Sequence, residues 1–192
     1  ACKLTLMYYG VMRYIKIEGA DLRLSAICLG TATFGSSITA RESFRMMDDY
    51  SSAGGNFIDT ARVYADWLPG GSGASETTIG NWLSQRGSRD DIILATKGGH
   101  PRLETMNIPR MSHKEVASDI EQSLRCLRTD RIDIYWLHRD DVTISVEDIL
   151  GMMEGFVGQG KIRYYGCSNW CVPRIAEALS CAKSIGVRGF IA

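Results

Sequence analysis

An aspartate, a tyrosine, a lysine and a histidine stand at or just past the ends of successive apolar runs. Asp59 closes Asn56-Phe57-Ile58, and Tyr64 follows five positions later. Lys97 closes the run from Ile92 to Thr96, and His138 the run from Ile132 to Leu137. A free phenol has a pKa of about 10 and gives up its proton poorly near neutrality. A neighbouring ammonium stabilises the phenolate. A carboxylate paired with that ammonium holds it in place and limits the cost of burying its charge. An imidazole hydrogen-bonds a carbonyl oxygen or relays a proton. Tyr64, Lys97, Asp59 and His138 together would protonate an oxyanion formed as hydride reaches a carbonyl carbon. No side chain supplies hydride, so this chemistry needs a nicotinamide cofactor.

Each of the four has a plainer reading when taken alone. An Asp-Thr pair at a strand end is usually a cap or turn, a lone lysine is usually solvated, and a lone histidine after an apolar run is often a core residue. Their common placement argues for chemistry. Polar residues at the C-terminal tips of buried parallel strands are where barrel enzymes hold their active sites.

The elements that must carry these tips are legible as a repeat. Strand-like runs fall at Ser25–Leu29, Asn56–Asp59, Ile92–Lys97, Ile132–His138 and Ile162–Cys167, with a sixth beginning near Val187. They are apolar on both faces, as buried parallel strands are. Helical stretches separate them. Thr39 with Glu42 and Ser112 with Glu115 match the capping box, and Ser145 with Asp148 is a weaker version. Apolar stripes at helical spacing follow in Val116, Ile120, Leu124 and Leu127, and in Ile149, Met152, Met153 and Phe156. Pro173 suits a first helical turn, and Gly54, Gly87, Gly158 and Gly186 read as helix stops. The segment from Tyr14 to Leu24 reads as a small hairpin ahead of the first strand. A repeated βα pattern allows a closed barrel or an open doubly wound sheet. The first turn, Gly30-Thr31-Ala32-Thr33-Phe34-Gly35, lacks the G-x-G-x-x-G of the open nucleotide-binding sheet. A barrel also gathers tips from several strands around one pit, which favours a TIM-type (β/α)8 architecture, here its first six strands.

The chain has 192 residues, 45% of them hydrophobic, enough for one domain with a substantial core. Basic and acidic residues balance at 22 each, with no basic run to suit nucleic acid. No apolar stretch has the length of a membrane span. The six cysteines form no CxxC pair, so a metal or disulfide framework is not expected and the thiols are read as reduced and cytoplasmic. Residues 1–11 read as an N-terminal extension before a start near Met12, with the domain over residues 12–192.

Other candidates are weaker. Gly70-Gly71-Ser72-Gly73 lacks the Lys-Ser or Lys-Thr of a phosphate loop and reads as a flexible loop near the pocket mouth. Phe34, Trp67 and Arg139 are candidate substrate-pocket residues, Trp67 having the alternative of covering the barrel rim. Ser168-Asn169 follows the fifth strand, where amide recognition competes with helix capping. His100 and His113 show no ligand spacing and receive no role. A barrel hydrolase built on Asp59 and a second carboxylate is disfavoured, because Asp133 lies inside a strand.

These residues resemble the aldo-keto reductase family from about Met12 to the last residue. The resemblance lies in Ile27-Cys28-Leu29-Gly30-Thr31-Ala32, in Asn56-Phe57-Ile58-Asp59-Thr60-Ala61-Arg62-Val63-Tyr64, in Ser75-Glu76 with Ile79-Gly80, in Ala95-Thr96-Lys97, in Leu137-His138, and in the stretch from Gly160 to Asn169. It implies Tyr64 as proton donor, Lys97 and Asp59 as its tuning pair, and His138 as the group that orients the carbonyl. It implies Gly30, Thr31, Ala32 and Asp59 along an NADP(H) cofactor, with Ser168 and Asn169 on the nicotinamide carboxamide. The implied activity is reduction of an aldehyde or ketone to an alcohol. Alternatives on the same scaffold are a non-catalytic NADPH-binding regulatory subunit and an inactive truncated fragment. An eight-stranded barrel needs two further βα units, so the chain is expected to be part of a longer reductase. The family's stacking aromatic and 2′-phosphate clamp would then lie beyond Ala192, and open barrel edges would favour self-association.

Overall fold

Apolar runs with no polar face bury both sides, and in the computed structural model they form one parallel sheet between two layers of packing. The structure describes residues 12–192, so the extension expected over residues 1–11 lies outside the described residues. The parallel strands are β3 (Leu29–Gly30), β4 (Phe57–Asp59), β5 (Ile93–Gly98), β6 (Ile132–Leu137) and β7 (Ile162–Cys167), adjacent in chain order. A separate antiparallel hairpin pairs β1 (Tyr14–Lys16) with β2 (Arg23–Ser25). The crossovers carry α1 (Ala40–Ser52), α2 (Ala74–Arg86), α3 (His113–Leu127) and α4 (Val146–Gly158), and α5 (Val172–Ile185) follows β7. This is the strand–helix order of the expected barrel.

The helix starts form as their side chains dictate. Thr39 and Glu42 close a full capping box on α1. The Ser112 backbone N–H donates to Glu115 at 3.2 Å, and Ser145 Oγ accepts from the Asp148 N–H at 3.1 Å. Gly54, Gly87 and Gly186 end α1, α2 and α5 in the left-handed region that a side chain disfavours. Gly158 is not the left-handed stop after its helix. It is the last helical residue of α4, and the positive φ falls on Gly160.

The first predicted strand also shifts. Ser25 belongs to the hairpin, where its N–H donates to Asn56 Oδ1 at 2.7 Å, and Ile27 is exposed. Only Leu29 and Gly30 pair with Ile58 and Asp59. The expected sixth strand near Val187 does not form as a regular strand; its last two residues bond to the end of β7, the Ile191 N–H donating to Tyr165 O at 3.0 Å and the Cys167 N–H to Ala192 O at 3.1 Å.

The hairpin covers one face of the sheet. Leu22 and Leu24 pack on Ala95, Ile134 and Tyr164, and the Asp21 N–H donates to the Tyr164 hydroxyl at 2.8 Å. Helices cover the other face with two larger clusters, one centred on Tyr135, Ile149, Met153 and Phe156, the other on Met47, Ile58, Ile79 and Trp82. Phe34 lies in this second cluster at 1% exposure. It is core, not pocket wall, because the turn after β3 folds its ring inward under α1 and α2.

Asp133 is structural, as its place inside β6 suggested. Its carboxylate accepts from the Leu94 N–H, Arg89 and Arg163, each at 2.9 Å, and is 3% exposed. Removing it strands a buried N–H and two guanidinium groups. Asp133→Ala is expected to destabilise the fold by about 3 kcal/mol, read as a fall in the urea midpoint at unchanged slope; a change within a few tenths would remove this clamp from the account.

Candidate active site

Strand parity builds the site. Successive side chains of a strand point to opposite faces, so residues two apart share a face. Asp59 pairs in register with Ala95, and Lys97 lies two residues beyond Ala95. Lys97 pairs with Trp136, and His138 lies two residues beyond Trp136. Asp59, Lys97, Trp136 and His138 therefore rise from one face, above the layer that meets the hairpin. Backbone bonds carry the ladder past the strand ends: Thr60 N–H to Ala95 O at 2.9 Å, Arg62 N–H to Lys97 O at 2.9 Å, and His138 N–H to Gly98 O at 2.8 Å.

The Lys97 ammonium is the hub. It forms an ion pair with Asp59 Oδ2, donates to Thr60 O at 2.7 Å and donates to the Tyr64 hydroxyl at 3.0 Å. Its three protons have three acceptors. The side chains of Lys97 and Asp59 are 11% and 22% exposed, dry enough for each to need the other. Trp136 Nε1 donates to the remaining Asp59 oxygen at 3.0 Å. Gly166 makes room for that indole, since a Cβ there would stand 2.4 Å from the Trp136 ring. Neither residue received a role from the sequence, where Trp136 lies within an apolar run and Gly166 within the stretch from Gly160 to Asn169. Strand pairing, which sets Trp136 beside Lys97 and Gly166, was the available signal.

The His138 ring stands edge-on to the Tyr64 ring, with centroids 6.4 Å apart at 82°. Burial, reinforced by the positive charges of His100, Lys97 and Arg139, pushes the His138 pKa down to about 3. The ring is neutral across the physiological range. The four residues first singled out are thus gathered at one site.

Below it, α2 is locked to the strand tips by buried polar contacts. Ser75 Oγ donates to Thr31 O at 2.8 Å and lies 2.9 Å from Thr60 Oγ1. Thr96 donates to the fully buried Glu76 at 2.7 Å, and burial raises the Glu76 pKa. Thr31 Oγ1 is engaged with Asp59 O at 2.9 Å, so its side chain is part of this frame. Gly30 is open to solvent and Ala32 is exposed, leaving the turn's backbone to face a ligand.

At the tip of β7, Asn169 Nδ2 donates to His138 O at 3.1 Å and to Ser168 Oγ at 2.9 Å. That leaves the Ser168 hydroxyl proton as a donor and Asn169 Oδ1 as an acceptor. One donor beside one acceptor could complement a primary carboxamide; Asn169 itself holds φ +62°. Trp67 is half exposed, and Arg139 lies close enough to His138 for its charge to act there. A cleft of about 350 Å³ flanks the site, lined by Arg62, Gly98, His100, Arg110, Asp119 and Gln122 among others. Among the described residues no His, Cys, Asp and Glu cluster could hold a metal, the five cysteines are free thiols, and no helix is long and apolar enough to cross a membrane.

Known proteins resemble this chain in sequence and fold. A model of the aldo/keto reductase family matches residues 26–187. Norsolorinic acid reductase B of Aspergillus parasiticus is 32% identical over 93% of this chain and 49% of its own length. The aryl-alcohol dehydrogenase [NADP(+)] of Phanerodontia chrysosporium is 33% identical over 90% of this chain and 48% of its own. The solved aldo-keto reductase AKR11C1 from Bacillus halodurans, in its holo form, superposes with a TM-score of 0.75 at 30% identity, covering 88% of this chain and 54% of that one. The chain spans about half the length of the curated relatives it matches. Matched over most of its length and built on the same parallel strand order, the chain belongs to the aldo/keto reductase family.

Proposed function

We propose that this chain carries the catalytic half of an NADPH-dependent reductase that converts an aldehyde or ketone to an alcohol. The observation that supports it most is the hydrogen bond from Lys97 Nζ to the Tyr64 hydroxyl, with Nζ itself held by Asp59 and Thr60 O. Because the phenol oxygen accepts from the ammonium, its own proton remains free to donate.

Ser168 and Asn169 offer the donor and acceptor that a nicotinamide carboxamide needs. NADPH, when bound, supplies the hydride. The phosphorylated form is preferred because the aryl-alcohol dehydrogenase relative carries NADP(+) in its name. Tyr64 Oη gives its proton to the substrate oxygen as negative charge develops there. The phenolate left behind lies beside Lys97 Nζ in a partly dry site, where the attraction is worth on the order of a few kcal/mol. Asp59 and Trp136 keep the ammonium from drifting. His138 stays neutral, so it meets a carbonyl oxygen as a hydrogen-bonding imidazole; with Nδ1 buried, Nε2 is the nitrogen left for that contact.

Loss of NADPH absorbance with an aromatic aldehyde tests the reading. Tyr64→Phe is expected to lower kcat by about 10²–10⁴-fold while NADPH binding, followed by fluorescence, is kept. Unchanged turnover in that variant would remove Tyr64 from the chemistry, and NADPH binding without turnover in the unaltered chain would favour a regulatory subunit or an inactive fragment. His138 also makes stability depend on pH. Its folded pKa of about 3 lies below the unfolded value near 6.5, so the unfolded chain takes the proton first. This contribution is complete above about pH 6.5 and is lost as pH falls towards 3. His138→Gln is expected to flatten the fall in melting temperature between pH 6.5 and 4; an unchanged slope would contradict the buried neutral ring.

A further inference from the structure

We infer that His100 is a positioning residue for His138: its ring, fixed by its own hydrogen bond, packs on the His138 ring and sets the angle at which that imidazole meets Tyr64. An imidazole that acts on a substrate is ordinarily aimed by a hydrogen bond at its second nitrogen. His138 Nδ1 is buried and has no hydrogen-bond partner. Its aim therefore falls to packing. His100 supplies it, with ring centroids 4.7 Å apart and planes tilted by 59°.

His100 is itself held. Its Nδ1 lies 2.7 Å from Pro101 O, a contact that requires the proton on Nδ1. Arg110 Nη1 donates to His100 O at 3.0 Å, and Arg110 is anchored on Asp119 at 3.1 Å. The chain Asp119, Arg110, His100 and His138 thus runs from α3 to the reacting face. His100 also lines the cleft beside the site.

The contact has a second consequence. The His100 ring is also among the neighbours that, with burial, hold the His138 ring neutral. The other charged or titratable groups around His138 are Lys97 from β5, Arg139 after β6 and Tyr64 after β4. Lys97 and Arg139 oppose a positive charge on His138. This role presupposes that His138 is the imidazole that meets the substrate oxygen.

Two variants separate the ring from its charge: His100→Phe keeps a flat ring, and His100→Ala removes it. Nitrogen-15 labelling of the histidine rings, titrated by NMR from pH 8 to 2.5 without cofactor, reads the state of His138 directly. In His100→Ala, His138 is expected to take its proton about one pH unit higher than in the unaltered chain and to lose its fixed contacts with Tyr64. In His100→Phe those contacts are expected to persist. Turnover of an aromatic aldehyde in His100→Ala is expected to drop about tenfold in kcat, with the KM for NADPH unchanged and the acid limb of the profile shifted upward. A purely structural histidine would lower activity equally at every pH and leave the His138 titration in place, which would overturn the inference. If His100→Ala does not fold, His100→Gln, without ring or charge, is held to the same criterion. Failure of the unaltered chain to turn over any aldehyde would count against the proposed reductase, whereas an unmoved His138 titration counts against His100 alone.

Discussion

The Lys97 ammonium pressed against the Asp59 carboxylate is the contact on which the site depends. Taking either charge out of water alone costs several kcal/mol, and the pair recovers that only with good geometry and full hydrogen bonding. Here both conditions are met. One Asp59 oxygen faces Nζ and the other accepts from Trp136; the ammonium spends its remaining protons on Thr60 O and Tyr64. Each oxygen of the carboxylate and each proton of the ammonium has a protein partner, so Tyr64 is held by a cation that has one place to be.

That economy explains features of the fold that otherwise look incidental. Gly166 is small because the Trp136 indole needs the space. The hairpin closes the sheet face below the pair, so water does not approach from that side. Ser75, Thr31 and Thr60 bind the first turn of α2 to the strand tips, which fixes the loop carrying Tyr64. Each is a polar group buried with a partner, as low dielectric requires. Ala65, next to Tyr64, is buried with φ +70°, a conformation that costs a residue with a side chain on the order of 1 kcal/mol and that the surrounding packing imposes.

Much of this was legible in the chain. The apolar runs at β4 to β7 were read within a residue or so, because a strand buried on both faces is a continuous apolar block. The capping boxes at Thr39 and Ser112 were legible because their chemistry is local. Asp59, Tyr64, Lys97 and His138 announced themselves as polar residues at strand ends. What escaped reading depends on contacts between distant segments. Ser25 looked like the start of a strand, but Asn56 draws it into the hairpin. Phe34 looked free to face a ligand, but α1 and α2 close over it. Trp136 and His100 carry no local signal; strand register and a ring contact give them their places.

The most direct measurement is a double-mutant cycle between Asp59→Asn and Lys97→Met, read as unfolding free energy in urea. If the pair acts as one unit, each single change leaves a buried charge alone, and the double change costs much less than the sum, with a coupling of at least about 1 kcal/mol. Additive losses, within about 0.3 kcal/mol, would mean that the two groups do not hold each other, and the account of Tyr64 would fall with them.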